Sequence, residues 1–387
     1  MKLFKSLLVA PATLGLLAPF AANATEVNFN AISNYSDEEI EIDINSFKPK
    51  SNQNLLLSGG EGLVDSQSQD DSQSQDGGFS ETTTMDGGVD ILLSAADGGA
   101  SEAFQFQYVW DIDLDTSFTG EDNLEIGIAA GQAQTEAGGV LDFGEPTDEK
   151  LKVIDANYTF PVGDNLTMKA GNSLKISKSF DNACAYDGLT DELGHCGDHK
   201  AHQVGGGVTL GGQYDFGNGF TMGAGISGAN TALLTKEDQS YYGLNAAYSG
   251  DNFGLSVAYA MAEAEDLSSN TRADSTYWGI IGSYSFDDSA LSSISVGYGT
   301  GETEGSSTDK SSWFAGLMFD EVGPGSVGIA AGTDGLHASN VTEDMLYEAY
   351  YAYDINDGMS QTLGVYYQEN NSGTDETGIV AVTSFSF

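Results

Sequence analysis

Beyond its first two dozen residues this 387-residue chain has no run of eighteen apolar residues, so no later segment can cross a membrane as a helix. Basic residues are scarce, 13 against 58 acidic ones, and a net charge of −45 at pH 7 excludes general electrostatic attraction to nucleic acid or anionic lipid. Cysteine is nearly missing: only Cys184 and Cys196 occur. No cluster of Ser, His and acid stands out, so no enzyme is expected. No cofactor is expected either. Gly223-Ala224-Gly225-Ile226-Ser227-Gly228 matches a dinucleotide fingerprint in letters only, because no helical pattern follows it and 50 glycines produce such matches by chance.

Lys2 and Lys5 precede the apolar run Leu7 to Phe20, and Ala22-Asn23-Ala24 follows as a small-x-small cleavage site. This reads as a secretory signal over residues 1–24. Export carries both cysteines into an oxidising space, where a Cys184–Cys196 disulfide is the expectation. Residues 25–78 show no sustained period. Asp37 to Asp43 is an acidic patch, and residues 66–76 are Ser-Gln repeats broken by Asp70, Asp71 and Asp76, which cannot bury enough apolar area to order themselves. They are read as an acidic, largely disordered periplasmic extension, leaving residues 79–387 as the folded domain.

From about Thr82 the period is two. Phe104, Phe106, Tyr108, Trp110, Ile112 and Leu114 alternate with Gln105, Gln107, Val109, Asp111, Asp113 and Asp115. A helix would scatter these aromatics around its circumference, whereas a strand gathers them on one face. Paired segments follow, joined by glycine- and asparagine-rich turns such as Pro161 to Asn165, Gly217-Asn218-Gly219, Ser249 to Asn252 and Asn356-Asp357-Gly358. Between the pairs lie longer polar stretches, including Gln134 to Glu149, Asn172 to Gln203, Glu263 to Asp274 and Gly301 to Lys310. Short turns alternating with long loops predict an all-β, antiparallel transmembrane β-barrel in an outer membrane, with its short turns in the periplasm. The last strand, Ile379, Ala381, Thr383, Phe385 and Phe387, ends on an aromatic suited to the lipid–water interface. Counting back to Met85–Ala96 gives about sixteen strands, and an even count puts both chain ends in the periplasm.

Asp111, Asp113, Glu125, Asp155, Asp215, Glu348 and Asp354 have the water-facing parity and are expected to line the lumen. Others, such as Glu136, Asp148 and Asp334, belong to solvated outer loops. The Asn172–Gln203 loop also contains the spacing His195-Cys196-x-x-His199-x-x-His202. Zinc favours such mixed thiolate and imidazole sets, but a disulfide would remove the thiolates, and no metal is assigned.

The segments Phe79-Ser80-Glu81-Thr82-Thr83-Thr84-Met85-Asp86 and Glu102 to Asp122 resemble the barrel start of cyanobacterial outer-membrane porins, a family grouped with carbohydrate-selective and iron-uptake porins. The leader Met1 to Ala12 is similar to theirs as well. Members usually carry an S-layer-homology domain between leader and barrel, and residues 25–78 are too short and too polar to be one. The resemblance implies a homotrimer held in outer-membrane lipid, passing small hydrophilic solutes and inorganic ions passively. It also gives a role to the lysines. Six of the nine basic residues from Thr82 onward, Lys150, Lys152, Lys169, Lys175, Lys178 and Lys200, fall in or beside the third outer loop, which trimeric porins fold into the channel. Lys169 and Lys175 are then expected at a constriction, with Asp181, Asp187 or Asp191 from the loop. Lys152 shares the lipid-facing parity of Ile154 unless a bulge intervenes. The carboxylate surplus should favour cations. The alternative is a closed structural or surface-interaction barrel whose acidic loops bind cations.

Overall fold

The computed structural model describes residues 82–98, 103–134, 136–197, 200–229, 233, 239–263, 273–287, 289–371 and 373–387. The expected leader and periplasmic extension lie outside them, as does His199.

Alternation builds strands along nearly the whole described chain. The first half contains β1 (Thr83–Asp97), β2 (Gln105–Thr116), β3 (Asn123–Gly131), β4 (Lys152–Val162), β5 (Leu166–Asn172), β6 (Val208–Gly217), β7 (Phe220–Gly228) and β8 (Ser240–Ser249). The second half contains β9 (Phe253–Ala262), β10 (Ser275–Ser285), β11 (Ser293–Thr303), β12 (Lys310–Val322), β13 (Gly325–Thr333), β14 (His337–Ala338), β15 (Met345–Asn356), β16 (Met359–Gln368) and β17 (Glu376–Ser386). Each strand pairs antiparallel with its neighbours in the wall, and β1 pairs with both β2 and β17, which closes the sheet. The two-residue β14 is an appendage on the end of β12, while β13 pairs directly with β15. The wall is therefore a closed barrel of sixteen strands, as the alternation predicts. Closure leaves no unpaired sheet edge.

At one end the connections are the tight turns 163–165, 218–219, 250–252, 323–324 and 357–358; at the other lie the long connections 132–151, 173–207 and 334–344. Phe387 meets β1 at the short-turn end, exchanging main-chain hydrogen bonds of 3.0 Å in both directions with Gly87. A methyl group on Gly87 would stand 2.8 Å from the Phe387 ring, so the absent side chain makes room for the terminal aromatic.

The outward faces present Phe106, Leu210, Met222, Leu244, Trp278, Ile280, Val296, Ile329 and Leu363, all exposed. Aromatics gather at both ends of this apolar band. Phe220 and Tyr248 pack at 4.6 Å, with Phe253 beyond, near the short turns, and Tyr259 and Trp278 pack at 4.8 Å near the long loops. Two aromatic girdles around an apolar band are what a membrane-spanning barrel requires. In β2, Phe106 is exposed outside while Gln107 is buried inside, so Asp111 and Asp113, which share its parity, point inward.

Candidate pore and its inserted loops

The interior is organised by the 173–207 connection, which leaves β5, turns into the barrel and lies along the inner wall. It begins with a 3-10 turn, Ile176–Ser179, and its later part holds a single helical turn, Asp191–Gly194. Cys184 and Cys196 form a disulfide with a Cα–Cα distance of 6.0 Å, tying these parts together. Inward side chains of successive strands hold the loop down. Thr221 on β7 donates to Asp181 Oδ2 at 2.5 Å, and Ser256 on β9 donates to the Asp181 carbonyl at 2.8 Å. On β11 Ser295 accepts from the Ala185 amide, on β12 Ser312 donates to the Gly197 carbonyl, and on β15 the Tyr350 hydroxyl donates to the Asp187 carbonyl.

Glu348 on β15 is the strongest of these holds. Its Oε1 accepts from the Tyr186 hydroxyl at 2.7 Å and the Leu189 amide at 2.9 Å; its Oε2 accepts from the Thr190 amide at 2.7 Å and hydroxyl at 2.6 Å. Hydrogen bonds to an ionised acceptor are about twice as strong as neutral ones. Burial, with the Glu348 carboxylate beside it, raises the Tyr186 phenol, which therefore stays a donor. Glu348 thus points inward, as parity requires, but at 3% exposure it is an anchor and not a water-exposed wall residue.

Glycines on the inward faces let the loop approach this closely. A methyl group at Gly243 would stand 2.7 Å from Val204 and 2.8 Å from Phe180, and one at Gly297 would collide with the Cys196 carbonyl. The apolar residues of the loop then form two cores with the wall. Ile176, Ala201 and Val204 pack with Ala258 and Ala260 of β9, and Tyr186, Leu193 and Cys196 join Ile281, Phe314, Leu346 and Tyr366.

A second inserted segment was not foreseen. Residues 132–151 contain a five-residue helix, Glu136–Val140, whose Ala137 is fully buried in the same cluster as Leu92 of β1 and Val380 of β17. Gln107 of β2, itself buried, donates to the carbonyls of Ala133 at 2.7 Å and Phe143 at 3.4 Å. This stretch was expected to be a solvated outer loop. Its Ala137, Val140, Leu141 and Phe143 supply the apolar face that takes it inside instead.

What remains uncovered is charged. Asp111, Asp113 and Asp115 of β2, Glu125 of β3, Asp155 of β4 and Lys169 of β5 all face inward and none is buried. A bulge in β4, where Gly127 pairs with Asp155 but Ile128 pairs with Val153, reverses the parity above it. Lys152, opposite the inward Ala129, is thereby turned inside, and its Nζ lies 3.4 Å from the Pro146 carbonyl. Lys178 on the inserted loop is near enough to interact electrostatically with both Glu125 and Lys169, and Lys175 is exposed beside it. At the short-turn mouth Asp111, Asp113 and Asp354 join Asp86 and Asp90 of β1 around a recess of about 610 Å3. Asp215 faces inward at the same rim, its carboxylate accepting from the Gly217 amide at 2.7 Å. Parity reasoning overlooked Asp86 and Asp90, although both lie at the inward positions of the strand it identified.

The loop acids are placed in three different ways. Asp181 is taken up by β7, Asp187 contributes its carbonyl to Tyr350, and Asp191 lies 3.2 Å from His195, whose pKa is raised chiefly by that hydrogen bond. Glu125 of the wall is the acid that interacts electrostatically with Lys169 and Lys178. His202 hydrogen-bonds Ser256 at 2.9 Å, on a different part of the loop's contact surface from His195. Glu192 is held by burial, and by Asp334 and Asp191 nearby, at a pKa of about 7.

No protein-family model matches this sequence, and no curated protein matches it significantly. The described fold is similar to several solved structures. A porin from Comamonas acidovorans, described as anion-selective, superposes with a TM-score of 0.55 at 13% identity, covering 79% of this chain and 99% of that one. OmpT, an outer membrane protein of Vibrio cholerae solved in a trimer form, gives 0.54 at 12% identity, covering 79% and 100%. A mutant of the Rh. blastica porin gives 0.51 at 12% identity, with the same coverage. At these identities the likeness establishes the architecture: this chain has the sixteen-strand barrel fold found in outer-membrane porins.

Proposed function

We propose that the protein is an outer-membrane porin, a passive channel for small hydrophilic solutes and inorganic ions that prefers cations. The observation that carries this reading is the uncovered, charged inner wall of β2–β5 inside a barrel whose other face is apolar. A barrel serving only as a surface scaffold has no need to keep carboxylates and lysines unburied in its lumen. Asp111, Asp113, Glu125, Asp155, Lys169, Lys175, Asp215 and Asp354 line the pathway, and Glu348 fixes the loop that narrows it.

The likeness to porins supports placing the barrel in an outer membrane, and long loops at one end with short turns and the C-terminus at the other support a periplasmic C-terminus. The neighbour solved as a trimer supports a homotrimer. Membership of the cyanobacterial porin family rests on the Phe79–Asp86 and Glu102–Asp122 segments. The Comamonas acidovorans porin is described as anion-selective, but selectivity follows the charges of each lumen, and here carboxylates outnumber lysines.

A second reading, a closed structural barrel, has one observation in its favour: the apolar cluster that both inserted segments build inside the wall. Planar-bilayer recording separates the two. Discrete conductance steps from purified protein support the channel, and a barrel that inserts without steps refutes it.

A further inference from the structure

The two cysteines of the chain meet at a place that the wall hides. Cys196 is fully buried, and Cys184, half-buried, packs against the same apolar cluster. A methyl group on Gly297 of β11 would collide with the Cys196 carbonyl, and one on Gly197 would stand 2.7 Å from Phe314 of β12. Gly297 and Phe314 pair across these two strands, so the Cys196 end of the bond lies against the wall where they meet. At about 3.3 Å per residue, the nearer end of β11, Ser293, is roughly 13 Å along the strand from Gly297. The bond is inside the barrel, away from both mouths.

Thiol–disulfide exchange requires a thiolate to reach a sulfur directly, so its rate depends on access. A folded domain of about 100 residues has a radius of gyration of about 13 Å, too large to pass down a lumen that the loop already crosses from β7 to β15. In the extended chain that obstacle is absent. The cysteines are separated by 12 in sequence, and a loop of about ten residues closes in about 10–100 ns. With only two cysteines, no wrong pairing within the chain is possible.

We propose that the Cys184–Cys196 bond is made before the barrel closes, by exchange with a protein dithiol oxidase that meets the exported chain while it is still extended. One chain thiolate attacks the oxidase disulfide, forming a mixed disulfide and expelling one oxidase thiolate. The second chain thiolate attacks the chain sulfur of that mixed disulfide and expels the other. The two chain thiols thus lose two electrons and two protons, and the oxidase leaves as its reduced dithiol. The wall then closes around a finished loop, beyond the reach of protein oxidants and protein reductants. The inference rests on the exported barrel and not on conductance, so a barrel that passes no current would leave it standing.

The test uses the full-length protein, reduced in urea and folded into lipid nanodiscs with a small reductant present, which leaves both mouths open to solution. Infrared amide bands report closure. Once the reductant is removed, an oxidised thioredoxin-fold protein is added to the closed barrel and, separately, to the lipid-free chain in moderate urea; alkylation and mass spectrometry count the free thiols. The unfolded chain is expected to lose both thiols and the closed barrel to keep both. Equal rates from the two overturn the proposal. A reduced chain that fails to close would show that the wall needs the bond first, which is the same order of events. In pulse-labelled cells the thiols should vanish before the chain gains the protease resistance of the barrel. Free thiols persisting in protease-resistant protein would contradict that order.

Discussion

At the scale of single residues, Glu348 illustrates how little a side chain's parity says about its role. Alternation places it inside the barrel, but the loop that buries it is contributed by residues about 160 positions earlier in sequence. Removing its carboxylate leaves the Leu189 and Thr190 amides facing an apolar neighbourhood without an acceptor. Each unsatisfied buried group costs about 1–3 kcal/mol. Glu348→Ala is expected to weaken loop docking by about 2–4 kcal/mol, with Glu348→Gln milder because one acceptor oxygen remains. Hydrogen exchange followed by mass spectrometry reads this directly, and unchanged protection over residues 186–190 would show that other contacts hold the loop. Glu192 makes a prediction of opposite sign. Its folded pKa of about 7 lies above the ordinary carboxylate value, so the folded loop binds more protons than the released one between those limits. Docking is therefore strongest at low pH and weakens as pH rises from about 4.5 to 7, by at most about 3 kcal/mol. Glu192→Gln should flatten that dependence of exchange protection over residues 191–197; a slope equal to that of the parent would remove Glu192 as its source.

At the scale of strands and loops, period-two alternation was enough to read the hairpins, the first strand and the inward set on β2, because lipid tolerates few charges on the outer face. Adjacent residues on β16 test this. Leu363 is exposed on the outer face and Thr362 faces inward. Arginine at position 363 should cost roughly 2–4 kcal/mol if near the bilayer midplane, whereas Thr362→Arg should fold normally. Urea titration of protein refolded into lipid vesicles compares them, and equal losses would mean that the two faces do not differ as described. The bulge that turns Lys152 inward was not legible, since one extra residue leaves no mark on composition. Nor were the inserted segments, whose partners are scattered over many strands. A trace of them did exist: glycines at inward positions such as Gly243 and Gly297 signal close backbone approach, yet in a chain this rich in glycine they resemble ordinary strand filler. The disulfide was expected from the exported setting. It spans a sequence separation of 12, close to the fifteen-residue case for which chain entropy gives about 3 kcal/mol. Cys184→Ser with Cys196→Ser should therefore loosen the loop without dissolving the wall. Infrared amide bands should keep their β-sheet signature while proteolysis within residues 173–207 accelerates; a loss of sheet would place the bond in the barrel's own stability.

At the scale of the whole molecule, closure, girdles and loop asymmetry were all written into the strand pattern, and the sixteen-strand wall follows from it. The interior was not, because it depends on which connections are apolar enough to enter. The acidic lumen, in which carboxylates outnumber lysines among the described inward positions, should raise the local concentration of cations. Screening limits that reach to about 8–10 Å at ordinary ionic strength. The most direct test is the reversal potential of single channels under a KCl gradient, measured from low to high salt. The account predicts discrete steps with a cation-selective potential at low salt that declines toward zero as the salt is raised. Anion selectivity at low salt, or a barrel that inserts without any conductance, would contradict it.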